Sequence, residues 1–397
     1  MSSFKPKYLT NPDVVRTIQS KRLLDLLTPY HDFLHSRGLS LPSVQEAETL
    51  DLERIVEILG SPDESAPQDL LNAVGYIDEM ATPQGMDALL GVAIRAGMPF
   101  DEDADQSPAD IAVQVWLFNP AIVEAQHTWH TWKSPRRMEC FQPDDARRSA
   151  ALPLTPQRID QAKCEMSSYF GGNNRGKYCK FFVRTRAEQI ETSIQRGDPF
   201  RREQKIEDDG VRNIHYRPAG KDTVIFNERD HVLQCSSSMK RVVPIYQRVF
   251  GILLFDDPEY FTDAPVFTLA PLEELGVDAL SWGDIDDIEG IVFTQYRVDR
   301  GGRNAYAIFG ADDIIEDLRE RGESLVIQGR LVDATFKIKF RGTRASRTLK
   351  LYAGNAACYT RDENASAAEQ WLKLRQFVIR SGAKVEKDFD DAALASA

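Results

Sequence analysis

The hydrophobic period of this chain changes near Gly171, and that change restricts the fold more than any single motif. Upstream, "KRLLDLL", "LERIVEIL" and "MDALLGVAI" repeat apolar residues at the spacing of a helix face. Downstream, "KYCKFFVRTR", "VRNIHYRP", "DTVIFN" and "HVLQC" alternate apolar with polar residues and are bounded by turn formers. A helix returns a side chain to the same face about every 3.6 residues and a strand about every 2, so one pattern cannot serve the other structure. The chain reads as helices followed by sheet.

Helix starts are marked by a polar residue before proline: Asn11-Pro12, Ser61-Pro62, Thr82-Pro83, Ser107-Pro108 and Asn119-Pro120. Proline suits a first turn because its missing N–H would have no partner there, and the preceding side chain can cap the free N–H groups. Ser61 with Glu64, and Ser107 with Asp110, have capping-box spacing. From Ser61 the starts are 21, 25 and 12 residues apart, too irregular for a solenoid. Residues 133–153, rich in Arg and Pro, read as a connector, and Thr155-Pro156 opens a further helix. "VPIYQRVFGILLF" reads as a packed helix. Past residue 263, "IEGIVFTQYRV", "NAYAIFG", "SLVIQGRLV" and "TFKIKFRGTRASRTLK" read as strands. There "ADDIIEDLRERG" and "SAAEQWLKLRQFVI" read as helices, and the tail after Gly382 as frayed. The expected class is α+β: an all-helical domain with its basic connector (1–150), then two mixed, largely antiparallel α+β domains (151–262 and 263–397).

Charge is segregated along the chain. Residues 1–132 hold 8 Lys and Arg against 20 Asp and Glu, whereas residues 133–222 hold 19 against 13, within a chain of formal charge -12. Such a change of sign suggests two surfaces with different partners. The longest apolar run, 249–255, is far short of the ~20 residues a bilayer needs. The opening "MSSFKPKYLTNPD" lacks the apolar segment of a secretory signal. Five scattered cysteines without a C-x-x-C pair read as reduced thiols of a cytoplasmic protein.

The motifs for chemistry are incomplete. "GGNNRGKY" (171–178) fits G-x-x-x-x-G-K, but Tyr178 stands where Ser or Thr would hold magnesium, and the expected order is helix to strand. His31 and His35, and Glu124, His127 and His130, share helix faces without closing a metal shell. Asp284, Asp286, Asp287 and Glu289 crowd six positions and would suit Mg or Mn, although Ile288 and Gln295 break an EF-hand pattern. Glu203-Gln204-Lys205 is the nearest Glu-x-Lys of a nuclease, without a convincing partner Asp. Pro218-Ala219-Gly220 reads as a hairpin turn that gathers His215, Arg217, Lys221 and Asp222 near a candidate anion site.

The most interpretable patch lies at 335–350. On a strand, Phe336, Ile338 and Phe340 would face a core, with Lys337, Lys339 and Arg341 outward. A loop carrying Arg344 would lead to a return strand with Leu349 and Leu351 inside and Lys350 and Tyr352 outside. Adjacent like charges repel across a sheet unless screened, so this face invites a polyanion. The alternative is an edge hairpin that Lys and Arg protect from aggregation.

Together these features point to a non-catalytic subunit or adaptor of a bacterial-type cytoplasmic nucleic-acid-associated complex, with no cofactor. Its acidic helices would bind a protein partner. Lys337, Lys339, Arg341, Arg344, Lys350, Arg217 and Lys221 would contact nucleic acid or another polyanion. Two other classes fit the same sequence: a divalent-metal phosphodiesterase using the 284–289 cluster, and a purely structural interaction subunit.

Overall fold

The computed structural model describes residues 4–100, 106–207, 210–303 and 305–379. The expected frayed tail lies outside them. The chain divides into two compact units, Met1–Lys133 and Ser134–Ala397.

The described residues of the first unit form eight α-helices: α1 (Pro12–Val15), α2 (Ser20–Leu27), α3 (His31–Ser36), α4 (Leu52–Gly60), α5 (Gln68–Met80), α6 (Pro83–Arg95), α7 (Pro108–Phe118) and α8 (Pro120–His130). Asn11, Thr82, Ser107 and Asn119 each cap the helix whose first residue is the following proline. Ser61-Pro62 does not start a helix. Ser61 ends α4, and α5 begins only at Gln68. A polar-proline pair marks a break in helical hydrogen bonding, which also suits the residues just beyond a helix end. Leu23, Leu27, Leu34, Val74, Ile77, Leu89 and Val113 meet in one core. Asp78 ties the N-terminal segment to this core, its carboxylate accepting the N–H groups of Lys7, Tyr8 and Leu9 at 2.8, 2.6 and 2.7 Å.

In the second unit the strands are β1 (Arg137–Phe141), β2 (Cys179–Arg186), β3 (Gln189–Gly197), β4 (Arg201–Glu207), β5 (Gly210–Tyr216), β6 (Ala219–Asn227), β7 (Val232–Ser236), β8 (Ile288–Asp299), β9 (Tyr306–Gly310), β10 (Arg330–Phe340), β11 (Arg347–Tyr352) and β12 (Ala356–Cys358). The helices are α9 (Pro156–Gly172), α10 (Val243–Phe255), α11 (Ala270–Glu274), α12 (Ile314–Glu320) and α13 (Ala365–Leu374). Ten strands form one sheet in the order β2-β3-β6-β7-β1-β12-β11-β10-β8-β9, and β4 and β5 form a separate two-stranded ribbon. Every pairing among the described residues is antiparallel.

The class is therefore α+β, helices first and an antiparallel sheet after, but the second half differs from the expected pair of domains. Strands from both sides of residue 262 share the sheet, and β1, from the expected connector, joins them. It pairs with β7 on one side and β12 on the other. "RMECF" is too short to show a clear period, so its strand character depends on its two neighbours.

Alternation fixes which side of the sheet each helix covers. Phe141 pairs with Leu233 on the face covered by α9 and α10, where Met166, Phe170, Phe226 and Phe250 are buried. Met138, three positions earlier, points the other way and shares a row with Ala357, Leu351 and Ala334. Phe336 lies on that second face, with ring centroids 5.2 Å from Trp371 of α13 and 5.7 Å from Phe377. The two halves of the sheet thus bury opposite faces. On the β10–β11 hairpin the first face carries Thr335, Lys337, Thr348, Lys350 and Tyr352.

Candidate functional site

The β10–β11 hairpin has the register its alternation predicts. Phe336, Ile338, Phe340, Leu349 and Leu351 are buried, while Lys337 is exposed and Lys339 partly so. β10 is not an edge strand: β8 pairs with it on one side and β11 on the other. Edge protection therefore does not account for its lysines.

The cations of this region divide by partner. Among the described residues, the side chains of Lys337, Arg341 and Arg344 have no ion pair or hydrogen bond, and all three are exposed. The Arg341 backbone N–H donates to the Asp287 carbonyl at 2.9 Å, which sets the basic loop beside the acidic loop. Lys339 Nζ donates to the Thr343 carbonyl and steadies the turn. Lys350 belongs to the structure: its Nζ lies 2.8 Å from Oδ1 of the buried Asp333, whose Oδ2 lies 2.8 Å from Arg297 Nε. These contacts lack hydrogen-bond alignment and act as charge pairs that permit a carboxylate to be buried.

Arg217 and Lys221 lie elsewhere. Lys221 is on β6, five strand spacings from β10, or roughly 24 Å. It also points to the face opposite Lys337, because it shares a side with Thr223 and Ser236 rather than with Cys235 and Glu139. Arg217 donates to the carbonyls of Asn174 and, at 3.1 Å, Asp198, and its guanidinium stacks 4.9 Å above Phe200. Pro218-Ala219-Gly220 is a bend and not a hairpin turn, since β5 pairs with β4 while β6 pairs with β3 and β7. His215 is exposed beyond the bend and Asp222 is buried inside, so the expected anion site does not assemble.

The remaining motifs also separate. Among the described residues no three His, Cys, Asp or Glu side chains converge as a metal site. Arg375 donates to the exposed Asp284 and holds its carboxyl below the usual range, while Asp286, Asp287 and Glu289 face solvent. His31 and His35 stack with centroids 6.0 Å apart, and His127 bonds Glu79. Glu203 accepts from the Tyr216 hydroxyl at 2.8 Å. "GGNNRGKY" ends α9 and enters β2, with Asn174 and Gly176 at φ 60° and 82°. All five cysteines are free thiols. Burial pushes the Cys140 thiol up to about 12 and, chiefly through burial, the Cys179 thiol to about 12 as well.

Two features have no motif. Arg196, fully buried, is held bidentately by Asp222 at 2.6 and 2.9 Å, by Asp198 at 2.5 Å and by the Ser238 hydroxyl at 3.0 Å. Tyr246 donates to the same Asp222 at 2.6 Å. Burial disfavours the Arg196 cation, but Asp222 outweighs it and the guanidinium is raised above its ordinary value. The second is a cavity of about 430 Å³ whose lining includes Cys140, Val232, Phe267, Leu372 and Ile379, with Arg229 among its polar members. Apolar residues from β1, β7, α13 and the flanking loops supply it, and no local pattern announces such a convergence.

The arrangement describes a helical unit and an antiparallel α+β unit with a solvent-facing basic hairpin. Comparison with protein-family models and with curated proteins finds no match to the sequence.

Proposed function

We propose that the chain is a non-catalytic, cytoplasmic subunit or adaptor of a nucleic-acid-associated complex, contacting a polyanion through the outer face of β10–β11. The observation that carries this reading is the exposure of unpartnered Lys337, Arg341 and Arg344 on a hairpin inside the sheet. Their charge satisfies nothing within the described residues and does not guard an edge. Lys339 adds charge at the base of the loop, and Lys350 serves to neutralise Asp333. Side chains at alternate positions of a strand repeat every ~6.8 Å on one face, so Lys337, Lys339 and Arg341 form a row of positive charge. The acidic helical unit, with few cations to compete, is suited to a basic protein surface.

The test is a titration of the full chain with fluorescent DNA and RNA at several salt concentrations. Wild type binds at low salt and weakens steeply as salt rises. The variant Lys337→Glu/Lys339→Glu/Arg341→Glu binds more weakly, with a salt slope shallower by about one unit for each phosphate that is no longer neutralised. Equal binding by the variant, or no binding by wild type at low salt, defeats the proposal.

A further inference from the structure

The β4–β5 ribbon prolongs the β3–β6 hairpin beyond the main sheet. Gly197 pairs with Ala219, and the Asp198 N–H donates to the Pro218 carbonyl at 2.8 Å. Pairing resumes at Arg201 with Tyr216 and continues to Glu207 with Gly210. Neither ribbon strand pairs with any other described strand. One face presents three cross-strand rows, Arg202 with His215, Gln204 with Asn213 and Ile206 with Val211. All six side chains are exposed, Ile206 by 79% and Val211 by 64%. Two adjacent apolar residues so open to water contribute little to this fold, and their neighbours are planar hydrogen-bonding groups.

We propose that this ribbon enters the major groove of duplex DNA and reads base edges. The inference rests on the nucleic-acid reading above and gives it a substrate class. A two-stranded ribbon fits a groove about 12 Å wide. Gln204 and Asn213 have the donor-acceptor pair that matches adenine, Arg202 matches guanine, and Ile206 or Val211 suits the thymine methyl. The Arg202 Nε donates to Asn213 Oδ1 at 3.1 Å, which orients both side chains and leaves the guanidinium's outer N–H groups for a base. The hairpin's own charge balances, Arg201, Arg202, Lys205 and Arg212 against Glu203, Glu207, Asp208 and Asp209. Phosphate attraction therefore comes from its foot, where Lys177 and Lys221 are exposed and Arg217, although held by the Asn174 and Asp198 carbonyls, keeps its positive charge. Duplex RNA is a poorer fit, because its major groove is too deep and narrow for side-chain reading.

The experiment is selection of the full chain on randomised duplex DNA at fixed salt, followed by anisotropy titrations of the enriched and random duplexes. Wild type enriches a short motif. Gln204→Ala/Asn213→Ala loses discrimination by about tenfold or more while affinity for random duplex changes by less than about twofold. Unchanged far-UV circular dichroism confirms that these exposed substitutions leave the fold intact. The ribbon proposal is overturned if wild type enriches no motif, or if the variant enriches the same one. When wild type still binds duplex with the expected salt slope in that result, the ribbon alone falls. Absence of binding to any duplex at low salt overturns the ribbon proposal, and the nucleic-acid reading falls with it only when single-stranded DNA and RNA also fail to bind.

Discussion

A single buried charge shows how far residue identity reaches. Arg196 and Asp222 each have a fully buried side chain, and every strong donor of the guanidinium is met by Asp222, Asp198 or Ser238. Arg196→Met would leave Asp222 buried with only Tyr246 as a donor, so it should destabilise the second unit by about 3–5 kcal/mol. Urea unfolding measures this, and the double change Arg196→Met/Asp222→Leu should recover much of the loss because it removes both charges together. A cost near zero for the single change would mean that water reaches the site. The pair could not be read beforehand. Arg196 and Asp222 are 26 residues apart, on β3 and β6, and each alone resembles any polar strand residue.

Among the elements, β10 was the most legible. Its alternation alone puts Phe336 inside and Lys337 outside, as the structure does. Phe336→Ala should therefore cost about 3–5 kcal/mol in thermal or urea melts, since Phe293, Trp371 and Phe377 close around the ring. Lys337→Ala should stay within about 0.5 kcal/mol. Comparable losses for both would contradict the register. Other elements were less legible. Lys350 has the same outward pattern as Lys337, yet Asp333 engages it, and only cross-strand register reveals that partner. Pro218-Ala219-Gly220 has turn chemistry, but composition does not say whether a chain reverses or merely bends, because that depends on which strands pair on either side.

Across the molecule, β1 decides how the second unit is organised. It lies between β7 and β12, and the Cys140 N–H donates to the Asn355 carbonyl at 2.7 Å. Cys140→Pro removes that donor from the middle of the sheet and leaves a buried acceptor unpaired, at a cost of about 1–3 kcal/mol before any steric clash. The expected result is loss of strand signal across both halves in one transition, followed by circular dichroism during urea unfolding. Survival of one half with its own transition would instead support two α+β domains divided near residue 262. The division of charge needs no such test, since acidic helices and a basic stretch are properties of composition alone.

Local sequence was enough for the change from helices to strands, most helix starts and the two faces of β10. Each of these follows from neighbouring side chains: a cap and its proline, or an alternation of apolar with polar. Long-range packing was needed for the rest: that ten strands make one sheet, that the apparent connector is its central strand, and that Asp333 and Asp222 can be buried. The same packing leaves Lys337 unpartnered while Lys350 is paired. Those outcomes depend on groups brought together from distant parts of the chain, and local patterns carry no record of which distant strand will arrive beside them.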